Sequence, residues 1–180
     1  MSVVVVTPPA PLVTRDLAKK HLRVDGVAED TLIDLYIAAA SGHIDGPDAY
    51  LGRAIGEQTL DWSVDQFPVC GGLTLPVSPA LAVTWVKYID AAAVEQTLDP
   101  ADYRVVDGVI LPPVGGAFPT TPLDFGGVSI RFTAGYAAVP QAVQAAVLLM
   151  VSDLYKNREF EVEMSQTAQN LLRPYRLLEI

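Results

Sequence analysis

Two histidines, His21 and His43, are the side chains of this chain best suited to acid–base chemistry. A catalytic imidazole needs a neighbouring group that orients it and sets its protonation state. Neither histidine lies in a spaced cluster of histidines, cysteines or carboxylates. We therefore interpret both as residues of a helix surface or of an interface, and we predict no catalytic residue.

The segment Asp99-Pro100-Ala101-Asp102 is the closest approach to a carboxylate pair or a calcium loop. A calcium loop supplies at least five oxygen ligands at regular spacing, with a distal bidentate glutamate. That glutamate is missing, and an aspartate before a proline commonly initiates a turn. The sequence predicts a turn here and no metal site.

Cys70 is the only cysteine, so neither an internal disulfide nor a cysteine-based zinc site can form. We interpret it as a buried or incidental thiol in a protein made in a reducing compartment. Phosphate loops, dinucleotide-binding glycine motifs and nucleophile elbows are all missing from the sequence. We predict no cofactor.

The charge and the aromatic residues disfavour nucleic-acid binding. The 180 residues include 12 basic and 21 acidic side chains, a formal net charge of −9. Binding through phosphate contacts requires basic residues. The aromatic residues Trp62, Phe67, Trp85 and Tyr88 fall in predicted strands without interleaved basic residues, which favours core or interface packing over base stacking.

The composition is that of one folded domain with apolar surface that other subunits can cover. Hydrophobic residues make up 51% and charged residues 18%, with a mean hydropathy of +0.31. Disordered chains have the opposite bias, and so little charge suggests apolar area meant for other subunits. The first basic residue is Arg15, so the N-terminal stretch lacks the positive region of a secretory signal. The most apolar stretch, 142–151, is too short to span a membrane. We therefore expect a soluble, unexported protein.

The element pattern predicts an α+β fold, a small helical bundle with a β-rich insertion between its second and third long helices. Residues 1–56 are predicted as an extended arm followed by bundle helices, the first capped by Thr14 and the second beginning near Asp30. Residues 57–139 form the insertion, and nine of the fourteen prolines fall between Pro68 and Pro140. Its clearest signal is Asp107-Gly108 between two β-branched runs, which predicts a hairpin.

Residues 140–180 return to helix in the same bundle. Pro140 suits a first helical position, and apolar residues at three- and four-residue spacing follow it. The C-terminal tail is apolar and locally basic, and Pro174 is expected to release it from the preceding helix. Such a tail either packs on its own domain or docks on a partner. The predicted docking residues are Leu171, Leu172, Arg173, Tyr175, Arg176, Leu177, Leu178 and Ile180.

Several short stretches in a fixed order carry a resemblance to a known family. They are LVTRDLAKKHLRV at 12–24, IDGP at 44–47, LGRAI at 51–55, YID at 88–90, LDPADYRV at 98–105 and VSIRFTAGY at 128–136. The helix from Val139-Pro140 to Glu159 follows them. Over residues 12–160 the chain resembles the head–tail connector, or adaptor, proteins of long-tailed phages, prophages and gene transfer agents.

The resemblance implies a structural, non-enzymatic virion protein made in the bacterial cytoplasm. Proteins of this family form a ring of about twelve copies under the portal protein. The ring extends the DNA channel and joins the DNA-filled head to the next neck, stopper or tail protein, and DNA passes through without specific binding. The resemblance implies no cofactor and no membrane contact.

Two other classes of function stay open at this point. One is a small enzyme whose site is dispersed in sequence, which a deep pocket with a perturbed carboxylate or histidine would favour. The other is a β-rich ligand-binding module, which an exposed aromatic groove in the insertion would favour.

Overall fold

The computed structural model describes residues 2–122, 126–157 and 163–177 and divides into two compact units. The helical unit contains residues 9–56 and 136–180, and the β unit contains residues 1–8 and 57–135. The predicted α+β class is confirmed. Residues 1–8 were expected to precede the bundle as an arm, but the structure assigns them to the β unit.

The helical unit contains four helices. They are α1 (Arg15–Leu22), α2 (Asp30–Ile44), α3 (Gln141–Lys156) and α4 (Gln166–Leu172). Thr14 caps α1 as predicted, its hydroxyl accepting a hydrogen bond from the Leu17 amide. Pro140 is the N-cap of α3 and not its first helical residue. Its ψ of 138° keeps it extended, so the helix begins one residue later than predicted.

The core of this unit forms where α2 packs on α3, while α1 and α4 pack on α3 from other sides. It contains Ile33, Ile37, Val147 and Val151, all essentially inaccessible to solvent. Burying each large aliphatic side chain contributes about 1.5–3 kcal/mol. Arg15 donates to both carboxylate oxygens of Asp34 and thereby ties α1 to α2.

The β unit contains two antiparallel sheets. Its strands are β1 (Ser2–Thr7), β2 (Gln58–Val64), β3 (Leu73–Thr74), β4 (Ala80–Ile89), β5 (Glu95–Leu98), β6 (Arg104–Val106), β7 (Val109–Leu111) and β8 (Val128–Ala134). The first sheet has the order β1-β2-β8-β4-β5 and the second the order β3-β7-β6. Residues 2–7 therefore form an edge strand, paired with β2.

Burial alternates strictly along the two central strands of the larger sheet. Leu60 and Trp62 of β2 and Ile130 and Phe132 of β8 are buried, while the residues between them are half-exposed. A period of two is expected of strands with one face in a core. From the smaller sheet, Ile110 is also fully buried.

The predicted hairpin is present at Asp107-Gly108. These residues have φ values of 50° and 76°, and β6 pairs with β7 on either side of them. A two-residue hairpin turn with both φ values positive favours glycine and aspartate, because larger or branched side chains are strained there. The strand before it begins at Arg104 and not at Tyr103, because a 3-10 turn occupies Pro100–Asp102.

The loop between β4 and β5 is organised by one carboxylate. Asp90 accepts hydrogen bonds from the backbone amides of Ala92 and Val94, at 2.8 and 3.0 Å, and from the Gln96 side chain at 2.9 Å. The Val94 amide, followed by the Gln96 and Ala92 donors, holds the pKa of Asp90 below its ordinary value. These donors stabilise the ionised carboxylate.

The substitution Asp90→Asn tests this loop through its pH dependence. Because the folded-state pKa is lowered, the stabilisation by Asp90 is present above the unfolded pKa of about 3.9 and is lost as the pH falls through the folded value. We expect chemical shifts of the Ala92 and Val94 amides to show an acid transition in the native protein and none in Asp90→Asn. The same transition in both proteins would contradict the assignment.

Candidate partner-docking site at the C-terminal segment

Of the residues first considered for chemistry, His21 and His43 belong to the helical unit, and Cys70, Asp99 and Asp102 belong to the β unit. His21 and Cys70 are exposed, and exposed His43 stacks on Tyr50 with ring centroids 6.2 Å apart. The Asp99 carboxylate accepts a hydrogen bond from the Ala101 amide at 2.8 Å and caps the following 3-10 turn. Within residues 2–122, 126–157 and 163–177, no group of three or more His, Cys, Asp or Glu residues could hold a metal ion.

The helical unit has a cleft of about 440 Å³ between α2, α3 and the residues that lead into α4. Met150, Leu154 and Met164 line it, with Asp153 and Glu163 among its polar groups. His43 also borders the cleft. In the described ranges no hydrogen bond or ion pair joins the histidine to either carboxylate. No described helix is long and apolar enough to cross a membrane.

The trajectory of the C-terminal segment differs from the prediction. The segment 171–177 does not leave the bundle at Pro174, because Arg173–Tyr175 continue α4 as a 3-10 turn. The fixed φ of proline fits the start of such a turn, where its missing amide proton is not needed. Leu172 is fully buried, and Leu171 and Tyr175 pack against the core of the helical unit. Of the other predicted docking residues, Leu178 and Ile180 lie outside the described residues.

Three contacts fasten the end of this segment to its own unit. The rings of Tyr175 and Tyr136 meet edge to face, with centroids 6.3 Å apart. The Arg176 guanidinium lies 4.6 Å from the ring centroid of Tyr50. The Leu177 amide donates to the Leu51 carbonyl at 3.0 Å. The segment is therefore packed at least to Leu177, and the prediction of a tail that extends freely from Tyr175 is wrong for these residues.

The turn that receives the segment is held by Asp45. This carboxylate accepts hydrogen bonds from the amides of Ile55 and Gly56 at 2.7 and 3.0 Å. The Gly46 amide donates to the Arg53 carbonyl at 3.1 Å and closes the same turn. Because charge-assisted hydrogen bonds are about twice as strong as neutral ones, Asp45 fixes the backbone on which Leu177 rests.

Three arginines around this segment form no ion pair with a carboxylate among residues 2–122, 126–157 and 163–177. Arg173 and Arg176 are exposed, and neither forms an ion pair with any described residue. Arg53 is half-buried, donates to the Tyr136 hydroxyl at 3.0 Å and leaves its Nε buried without a hydrogen-bond partner. Elsewhere, Arg15 and Arg131 are paired with aspartates. Arg53, Arg173 and Arg176 are here called the arginine surface, and a guanidinium is a side-chain group well suited to bind a carboxylate.

Sequence reasoning missed a second cationic contact, on the outer face of the larger sheet. Lys87 and Arg131 lie over the half-exposed Trp85 ring, 5.3 and 5.1 Å from its centroid. Strand pairing across 46 residues of sequence brings Arg131 opposite Trp85. Both cations are paired, Arg131 with Asp61 and Lys87 with Glu95, each at 2.7 Å. The pairs neutralise this face, which therefore lacks the free positive charge that binds phosphate.

The substitution Tyr175→Ala tests whether the segment is anchored on its own unit. Removing the ring loses its packing against Tyr136 and the core, so we expect the free energy of unfolding to fall by about 2 kcal/mol. Tyr175→Phe, which keeps the ring, is the matched control and should change it by less than about 0.5 kcal/mol. Chemical denaturation measures both. An unchanged free energy of unfolding in Tyr175→Ala would contradict this anchoring and support a C-terminal tail that extends freely.

Comparison with protein-family models found no match, and comparison with curated proteins found none either. Comparison with solved structures found chains of gene transfer agent (GTA) particles. One lies in the neck of an empty GTA particle computed with C6 symmetry, with 24% identity and a TM-score of 0.74. Another belongs to the virion of a native GTA particle, with 25% identity and a TM-score of 0.73.

A third similar chain lies in the neck of a native GTA particle computed with C12 symmetry, with 24% identity and a TM-score of 0.72. Each similarity covers 100% of this chain and 97% of the other. The chain therefore shares, over its whole length, the fold of chains found in the necks of gene transfer agent particles.

Proposed function

We propose that this chain is a structural, non-enzymatic subunit of the neck of a phage-like or gene transfer agent particle. The support is a fold shared over the whole chain with proteins of such necks. The match covers 97% of the chain from the neck of the empty GTA particle. The order of the sequence stretches that resemble adaptor proteins supports the same assignment independently.

Within the neck, the proposed role is that of the adaptor ring below the portal. The support is the C12 symmetry with which one neck containing a similar chain was computed, and closed rings are a normal outcome of head-to-tail contacts between identical subunits. A ring of about twelve copies would extend the DNA channel towards the next neck, stopper or tail protein. The net charge of −9 suits a channel in which DNA slides without binding.

The proposed docking site on the portal is the C-terminal segment together with the arginine surface. One observation carries this proposal, namely that Arg53, Arg173 and Arg176 form no ion pair with a described carboxylate in a protein that is acidic overall. Leu171, Leu172 and Tyr175 would position the segment, while Arg173, Arg176 and exposed Leu177 would contact the partner. Leu178 and Ile180 belong to the same proposed site as additional apolar anchors.

Reversing the charge of the exposed arginines tests the docking site. We expect Arg173→Glu with Arg176→Glu to reduce the yield of joined particles at least about tenfold, because a total loss of about 1.4 kcal/mol in docking free energy lowers the affinity tenfold. Full heads without tails should accumulate in electron micrographs. Lys20→Glu with Arg23→Glu is the matched control, since both residues are exposed on or beside α1 and the charge change is identical.

Thermal unfolding of each purified protein accompanies the particle assay, because a variant that does not fold would also fail to join particles. Arg173→Lys with Arg176→Lys retains the charge but loses the stacking of Arg176 on Tyr50, so it should retain more of the joining activity than the double glutamate variant. Normal joining by the double glutamate variant would refute the proposed docking site. Loss of joining in the Lys20 and Arg23 control alone would place the docking surface elsewhere.

A further inference from the structure

Strand β1 is an edge strand of the larger sheet and carries neither the charges nor the prolines that usually prevent pairing with other strands. It pairs with β2 on one side, and no strand in the described part of the chain pairs with its other side. Its sequence, Ser-Val-Val-Val-Val-Thr, contains no charge and no proline. Val4 is 58% exposed, and Val5 and Val6 are 41% and 42% exposed. Edges that face water normally carry lysine, proline or an inward charge, because a bare edge pairs with other strands.

The regular part of this edge is four residues long. A register shift between Val5 and Thr7 makes Val6 the extra residue of a bulge, and a bulge ends regular pairing. Ser2–Val5 therefore remain as a straight, uncharged pairing edge. The opposite edge of the same sheet is β5, Glu95–Leu98, which also has four residues and no described strand on its outer side.

The two edges are compatible in direction. Each neighbouring pair in the order β1-β2-β8-β4-β5 is antiparallel, so β1 and β5 run the same way. If the sheet continues into a second copy in the same orientation, β1 of one copy meets β5 of the next as a parallel pair. That contact is head-to-tail and leaves the same two edges free at the ends of the assembly, so it repeats until a ring closes.

We propose that the free edge of β1 binds the free edge of β5 in a neighbouring copy of this chain. The choice of β5 as the partner rests on the proposed ring. Pairing of β1 with a second β1 would give a two-fold dimer that cannot propagate. A four-residue parallel pair is weak by itself, because parallel pairs are slightly less stable per residue than antiparallel ones. The contact therefore strengthens where copies are already gathered on a partner.

Cysteine cross-linking tests this pairing directly. Because Cys70 is exposed, the experiment uses a Cys70→Ser background. Val4 and Thr97 occupy the outer face of β1 and β5 respectively, and both are exposed. With a short bifunctional maleimide, Val4→Cys with Thr97→Cys should give a ladder of dimers, trimers and higher species that grows with protein concentration. Val4→Cys alone and Thr97→Cys alone should give none.

A charge on the edge should abolish the contact without unfolding the monomer. We expect Val4→Lys to weaken self-association, measured by analytical ultracentrifugation, at least about tenfold. Val114→Lys is the matched control, because Val114 is 86% exposed in a loop of the same unit. Both variants should keep the melting temperature of the native monomer.

Three results would overturn the proposal. They are cross-linked dimers from Val4→Cys alone, unchanged association of Val4→Lys, and the lack of a ladder from the double-cysteine protein at every concentration. All three concern the purified protein, so they are separate from the test of the neck function. A protein that assembles through β1 and β5 but does not join heads to tails would refute the proposed function and leave the pairing intact.

Discussion

The candidate docking site depends on the two backbone hydrogen bonds that Asp45 accepts at the end of α2. They hold the turn from residue 45 to residue 56, and that turn supplies Tyr50, Leu51 and Arg53 to the site. The segment 171–177 then rests on the Leu51 carbonyl and the Tyr50 ring. The Asp45 carboxylate accepts hydrogen bonds from backbone amides ten and eleven residues away. It thus links the end of α2 to the segment 171–177.

The charges of the protein divide into those satisfied internally and those that are not. In the helical unit Asp34 pairs with Arg15, and this guanidinium lowers the pKa of Asp34. In the β unit Asp61 binds Arg131 through both carboxylate oxygens. Exposed pairs of this kind contribute little to stability. By contrast, the residues of the arginine surface form no ion pair with a described residue.

Local patterns predicted much of this structure. The turn at Asp107-Gly108 follows from its backbone requirements, and the start of α1 follows from its capping threonine, Thr14. The pairing of residues 2–7 with β2 did not follow, because strand partners more than fifty residues apart leave no local signal. The path of the C-terminal segment was predicted wrongly for a related reason. Local rules treat Pro174 as a stop, whereas Tyr136 and the core supply the packing that continues the turn.

The central proposal is that an anchored C-terminal segment presents arginines that form no ion pair with a described residue to another protein of the particle. The most direct measurement is a cryo-electron microscopy density of the assembled neck at side-chain resolution. The account predicts that Tyr175 remains against Tyr136 while Arg173 and Arg176 face carboxylates of the adjoining protein. A density in which both arginines face solvent, or in which the segment has left its own unit, would contradict the account.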